Sequence, residues 1–367
     1  MTVTPTAAPA TARAAAPPAG SAPSAVSAPP SASAPSVAVA APVAARPAFS
    51  ALAPDAAGRR IAGGVEDLIG GTPLVRLDLE GADPRVEVLA KLESANPYAS
   101  VKDRAAGYLL RGAEARGDIG PGSTVVESTS GNTGIALAAL CAVRGYRCTV
   151  VLPDSATPER KGLLRALGAE VVETPGADGF AAAIARAEEI ERDVPGAWYA
   201  RQHENADNVL AHYETTGPEI WADTAGRIDV LIAGVGTGGT LSGAGRYLKE
   251  RDPAVEVVAV EPENSPVLSR GYGGLHRIPG LNGGFVAPTT DASIVDRVVP
   301  VPDEAAPAEA RAVLRRQGLF VGVSAGAALY AAGLLARDPA YAGKTIVAIL
   351  PDTGERYVSI WNEEPSK

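Results

Sequence analysis

One lysine of this 367-residue chain stands apart from the others by its setting. Lys102, in ANPYASVKDRAAGYLL, falls at a loop-to-helix junction just after Asn96-Pro97. The positive end of a helix dipole disfavours an ammonium at that place. The same field helps a neutral, nucleophilic amine to exist. The plainer reading of these residues is a first-turn lysine paired with Asp103. Lys91 falls mid-strand, Lys161 and Lys249 on helices rich in Arg and Glu, and Lys344 at the head of the run KTIVAIL. Those four read as structural.

Three turns carry the other groups that could do chemistry. The first, GVGTGGT (Gly234 to Thr240), follows the apolar run DVLIAG and opens the helical stretch LSGAGRYLKE. Glycines let backbone N–H groups converge without a Cβ in the way, and a helix N-terminus adds positive partial charge. Together they make a phosphate cradle. The turn has neither G-x-G-x-x-G with an acid about 20 positions on nor a Walker A lysine, so it suits a single monophosphate. An ordinary tight turn is the bland alternative. The second, STSGNTG (Ser128 to Gly134), places Thr129, Ser130, Asn132 and Thr133 at another helix start. Those donors suit a carboxylate; helix capping alone would need fewer of them. The third, VGVSAGAAL, sets Ser324 between the strand-like run GLFVGV and an Ala-rich helix. Taken by itself, Ser324 reads as an N-cap.

Several function classes fall away. Cys141 and Cys148 stand in no metal or redox spacing and read as buried free thiols. His203, His212 and His276 form no HExxH pattern, so no metal is expected. A net charge of -9 argues against nucleic acid as a partner. No apolar run approaches the roughly 20 residues that span a bilayer, so no membrane partner is expected.

Residues 1–56 are almost wholly Ala, Pro, Ser and Val, with Arg13 and Arg46 and no acid before Asp55. Too few large apolar side chains are present to offset the ordering entropy, so a disordered tail is expected. An organelle transit peptide is the sharper alternative, but it would be richer in arginine. From about Arg60 short β-branched runs alternate with Ala- and Leu-rich stretches. The strand runs are VEVLAKLE, STVVES, RCTVVLP, AEVVETP, DVLIAGV, VEVVAVEP and KTIVAILPD. Helices are expected at AAGYLLRGAEARG, GIALAALCAVRG and RKGLLRALG. This alternation predicts an α/β fold of βαβ units with mostly parallel strands. Ligands on such sheets bind at the carboxyl ends of the strands, where the three turns fall.

Taken in order, LIGGTPLVRL, NPYASVKDR, ESTSGNTGIALA, LLRALGAEVV, AHYETTGPEIW, GVGTGGTLSG, AVEPENSPVL, GVSAGAAL and LPDTGERY resemble the fold-type II pyridoxal-phosphate (PLP) enzymes. The resemblance is strongest to the cysteine synthase and cystathionine β-synthase family and runs from about Val65 to Tyr357. It implies two domains, each a mostly parallel twisted sheet flanked by helices, with PLP in the cleft between them. The expected boundaries are 57–208 and 209–363, the first segment of the former being able to cross to the latter. By the same resemblance Lys102 would carry the cofactor as a Schiff base and shuttle the α-proton. Asn132 would bond the phenolic oxygen, and Gly236, Thr237, Gly238, Gly239 and Thr240 would hold the phosphate. Ser324 would meet the pyridine nitrogen, and Thr129, Ser130, Thr133 and Gln202 the substrate carboxylate.

The implied reaction is β-replacement on an activated serine, foremost O-acetyl-L-serine plus sulfide giving L-cysteine plus acetate. Alternatives keep the chemistry and change the partners: O-phosphoserine or serine as donor, homocysteine as nucleophile, or an amine giving 2,3-diaminopropionate. A catalytically weak PLP-binding partner protein is the reading from another class. A cytoplasmic homodimer is expected, with the C-terminal tail of serine acetyltransferase as a possible partner. The chain departs from the family at NPYAS, at His203 where cysteine synthases usually carry Phe, and at HRIPGLNGGF. The last two lie on the substrate side. The lack of a haem-binding segment before the body, and of a regulatory module after it, counts against an animal-type cystathionine β-synthase.

Overall fold

In a computed structural model, which describes Thr2 and residues 61–362, ten strands form two sheets. The tail expected over 1–56 lies, Thr2 apart, outside the described residues. The strands are β1 Leu74–Leu77, β2 Glu87–Leu92, β3 Thr124–Ser128, β4 Arg147–Pro153 and β5 Glu170–Thr174. They continue as β6 Ala197–Tyr199, β7 Val230–Gly234, β8 Glu256–Pro262, β9 Arg297–Val301 and β10 Thr345–Leu350. One sheet has the order β1-β2-β10-β7-β8-β9 and the other β5-β4-β3-β6. Every pairing is parallel except β1 with β2. Each of the seven runs expected as strands contains one.

The central strands are buried on both faces, as β3 TVVES and β10 TIVAIL illustrate. Helices must therefore cover both sides. The main ones are α1 Lys102–Arg116, α2 Asn132–Arg144, α3 Pro158–Ala166, α4 Gly179–Asp193, α5 Ala206–Ala211 and α6 Gly217–Asp223. They are followed by α7 Gly239–Arg251, α8 Ala305–Gln317 and α9 Val323–Arg337. On the four-stranded sheet, Leu137 and Leu140 of α2 pack with Val125 and Val150, while Ala183 and Ala187 of α4 meet Val126 and Val151 on the opposite face. Burying one such Leu or Val stabilises by about 1.5–3 kcal/mol. On the six-stranded sheet the Ala-rich α9 packs against β7 and β10, and α7 covers the other side.

One expected strand is corrected. GLFVGV (318–323) is not a strand: Val321 makes a single bridge to Thr353, and Val323 already begins α9. Gly318 ends α8 in a left-handed conformation, so only four residues remain between the two helices. That link pairs through the one bridge alone. Cys141 and Cys148 are both buried and free. No helix among the described residues is long and apolar enough to cross a membrane.

Candidate active site

The carboxyl ends of β3, β7 and β10 open on one cavity of about 310 Å³. Lys102, Thr129, Ser130, Asn132, Thr133 and Gln202 line it. So do Gly236, Thr237, Gly238, Thr240 and Ser324. Of the residues singled out in the sequence only Gly239 is not on the wall; it is buried behind it as the first residue of α7.

Lys102 begins α1. The loop before it is tied to the end of β10, with Ser100 bridging Asp352 and Val101 N–H donating to the Pro351 carbonyl at 2.8 Å. Asp103 does not pair with Lys102. Its carboxylate instead accepts from Tyr98 N–H at 2.6 Å and from Ser100 Oγ at 3.2 Å, which holds the loop in shape. Among the described residues the Lys102 amine makes no hydrogen bond or ion pair. Burial pushes it below its ordinary range, with the charges of Asp352 and Glu93 pulling the other way. A lysine in this state is suited to nucleophilic and base chemistry.

Thr133 and Gln202 are joined by a 2.5 Å bond from Thr133 Oγ1 to Gln202 Oε1. Behind them Glu127, the fully buried fourth residue of β3, accepts from Gln202 N–H at 3.4 Å. Burial raises Glu127 to about 8, against the opposing bonds from Gln202 and the charge of Arg201. Its Oε1 makes no hydrogen bond among the described residues.

Between β7 and α7, Gly238 has φ +80° and caps the helix. A Cβ there would lie 2.0 Å from Thr290 Oγ1, and one at Gly236 would lie 2.4 Å from the Gly280 carbonyl oxygen. The loop is pinned from outside: Asn208 Nδ2 donates to Thr237 Oγ1 at 2.9 Å, and Thr289 Oγ1 to the Thr237 carbonyl at 2.5 Å. Its amides are thus fixed at a positive helix end, where a phosphate can be held. Across the cavity Ser324 is 4% exposed, and its hydroxyl makes no hydrogen bond among the described residues. Asn132 donates to Asp352 through Nδ2 at 2.7 Å, leaving its second amide hydrogen for a ligand.

The donor set therefore fits PLP: an anion cradle, a free hydroxyl, an amide donor and a lysine whose amine is pushed below its ordinary range, around one cavity. Three polar wall residues are not singled out by the sequence. Asp352 and Tyr357 lie within the quoted LPDTGERY but were given no role, and Arg160 sits on α3. Arg160 donates to the Ser130 carbonyl at 3.3 Å and lies over the Tyr357 ring. Only the folded chain brings it beside the Thr129–Thr133 turn.

The chain matches the family described as "Pyridoxal-phosphate dependent enzyme" over residues 65–352. It is 45% identical over 296 residues to a cysteine synthase of Staphylococcus aureus, covering 80% of this chain and 95% of that one. The cysteine synthase of Entamoeba histolytica superposes with a TM-score of 0.81 at 38% identity, over 84% of this chain and 93% of the other. An O-ureido-L-serine synthase does so with a TM-score of 0.80 at 41% identity, over 84% and 98%. Its two mostly parallel sheets are those of fold type II, and the chain belongs to the pyridoxal-phosphate dependent enzyme family.

Proposed function

We propose that this enzyme makes L-cysteine and acetate from O-acetyl-L-serine and sulfide. The carrying observation is Lys102, half-buried and without an acid partner among the described residues, between a phosphate cradle and a carboxylate-binding turn. The cysteine synthases at 45% and 38% identity support the choice of substrates.

PLP, when bound, supplies an electron sink that loosens the α-proton and the β-substituent of an amino acid. Gly236, Thr237, Gly238, Gly239 and Thr240 would hold its phosphate, Asn132 its phenolic oxygen and Ser324 its pyridine nitrogen. Thr129, Ser130, Thr133 and Gln202 would orient the donor by its carboxylate, with charge-assisted bonds. Lys102, its amine favoured by burial, would take the proton from Cα and return it at the end. Ser324 offers a neutral hydroxyl rather than an acid, which favours loss of a β-substituent over transamination. The departing acetate would leave past Arg160, a cation on the cavity wall.

That cation supports a second reading, O-phosphoserine as donor, since a phosphate leaving group carries more charge than acetate. Steady-state rates with both donors separate the two readings. A strong phosphoserine preference would overturn the first, and retained PLP without turnover of either would point to a weak, partner-binding protein. The domain limits 57–208 and 209–363 remain part of this proposal, with β1 and β2 crossing to the larger sheet. So do a cytoplasmic homodimer and docking of a serine acetyltransferase tail, which sedimentation and peptide titration would test.

A further inference from the structure

Of the three histidines, two have both ring nitrogens bonded. His212 Nδ1 meets Thr216 Oγ1 at 2.8 Å and its Nε2 meets Thr240 Oγ1 at 3.2 Å. His276 Nε2 donates to the Asn282 carbonyl at 2.8 Å, and its Nδ1 accepts from Ile278 N–H at 3.2 Å. His203 differs. It lines the cavity, yet neither of its ring nitrogens makes a hydrogen bond among the described residues. Its ring stands edge-on to Phe180 at 6.0 Å and tilted against Phe285 at 5.6 Å.

The position of that ring is closely fixed. Arg201, two residues before, adopts a left-handed φ of 48°, a conformation uncommon for a side-chain-bearing residue. Its guanidinium is clamped to Glu191 at 2.5 Å. The turn sends Gln202 and His203 into the same cavity. The His203 carbonyl accepts from Thr289 N–H at 3.2 Å and Oγ1 at 3.1 Å, and Thr289 in turn holds the phosphate loop at Thr237. Phe285 is 38% exposed, whereas Lys102 is half-buried in the wall. His203 therefore stands at the mouth, where a second reactant enters from solvent. Burial, with the charge of Lys102, lowers the imidazole to about 4 and keeps it neutral. A neutral imidazole offers one donor and one lone pair.

Resting on the β-replacement reading, we propose that His203 lets the site take a second class of nucleophile beside hydrosulfide, an amine, which keeps an N–H to donate. Hydrosulfide attacks as an anion and needs no acceptor. In the overall step the amine lone pair forms the N–Cβ bond, and the Cβ–O bond breaks with its electron pair going to acetate. The His203 lone pair accepts a hydrogen bond from the amine N–H, and the surplus proton on nitrogen is released to water. The product is an N-substituted 2,3-diaminopropionate.

The test is competition between sulfide and glycinamide for O-acetyl-L-serine on the PLP-loaded enzyme, with products counted by mass spectrometry. One neutral hydrogen bond corresponds to roughly 2- to 10-fold in such a ratio. The ratio of N-linked to S-linked product should fall by about that factor in His203→Phe and be largely restored in His203→Asn, which keeps an acceptor. Calorimetric dissociation constants for 2,3-diaminopropionate against L-cysteine should shift in the same direction. A wild-type enzyme that consumes sulfide but forms no N-linked product, or a ratio equal in wild type and His203→Phe, would overturn the inference. If neither nucleophile is turned over, the β-replacement reading fails, and the two dissociation constants still decide what His203 prefers.

Discussion

Asn132 and Asp352, 220 residues apart, meet through a 2.7 Å bond from Asn132 Nδ2 to Asp352 Oδ2. It joins the head of α2, above the small sheet, to the chain just beyond β10 in the large one. Tyr357 donates its hydroxyl to the same oxygen at 2.5 Å, and Arg356 donates to Asn132 Oδ1. One carboxylate thus orients the amide proposed to hold the cofactor. Asp352→Ala strands one buried donor, the Tyr357 hydroxyl, at a cost of about 1–3 kcal/mol, and frees the half-buried Asn132 amide. The variant should unfold at lower urea and release PLP more readily. A wild-type midpoint together with wild-type PLP retention would remove Asp352 from this role.

The Thr133–Gln202 bond makes a prediction about binding rather than chemistry. Gln202→Ala should raise KM for the donor about 10- to 100-fold, the worth of a bond to a charged group. Thr133→Val should raise it less, because Gln202 stays in place but loses its anchor. If kcat falls while KM stays, the two residues do not hold the carboxylate.

A buried ionic cluster joining β2, α1 and α6 predicts behaviour in acid. Arg104, fully buried, binds Glu93 at 2.7 Å and Glu219 at 2.6 Å, while Lys91 binds Glu219 at 2.9 Å. Burial pulls the Glu93 carboxyl up, but Arg104, Thr72 and Lys91 outweigh it and hold it below its ordinary 4.5. Glu219 is lowered in the same way. A depressed folded value means stability that is full above the ordinary value and lost as pH falls through the folded one. Urea midpoints should therefore be insensitive to these groups above pH 4.5 and drop below it. Arg104→Met should cost about 3–5 kcal/mol. Should that variant not fold, Glu93→Gln should flatten the acid limb.

Glu127 works in the opposite direction. Its folded value, about 8, lies above its ordinary 4.5, so the folded state holds the extra proton between them. Its contribution to stability is full below 4.5 and declines as pH rises toward 8. In Glu127→Gln that decline should vanish, so the variant gains on the wild type across this window in thermal melts. Parallel pH profiles for the two proteins would show that Glu127 is ionised throughout.

Much of the site was legible because its parts are local. The turns at 128–134 and 234–240 announce themselves by hydroxyls and glycines between an apolar strand and a helix, and both became strand-to-helix turns on one cavity. Lys102 was legible by its place after Asn96-Pro97. The short strands β1, β6 and β9 were not read, since four residues of LVRL or three of AWY carry too little periodicity. GLFVGV misled because an apolar run can serve as a helix-to-helix link as well as a strand.

The sequence alone determined the α/β alternation, the three turns and the scarce lysine, each set by neighbours a few residues away. It also carried the family resemblance. Folding decided what those pieces face. Lys91 looked like an ordinary strand lysine and is fully buried against Thr72 and Glu219, because β2 pairs with β10 in the large sheet. Asp352 reaches Asn132, Arg160 reaches Ser130, and His203 meets Phe180 and Phe285 only when two sheets bring distant segments together. Such contacts depend on long-range packing, and no local pattern of residue types encodes them.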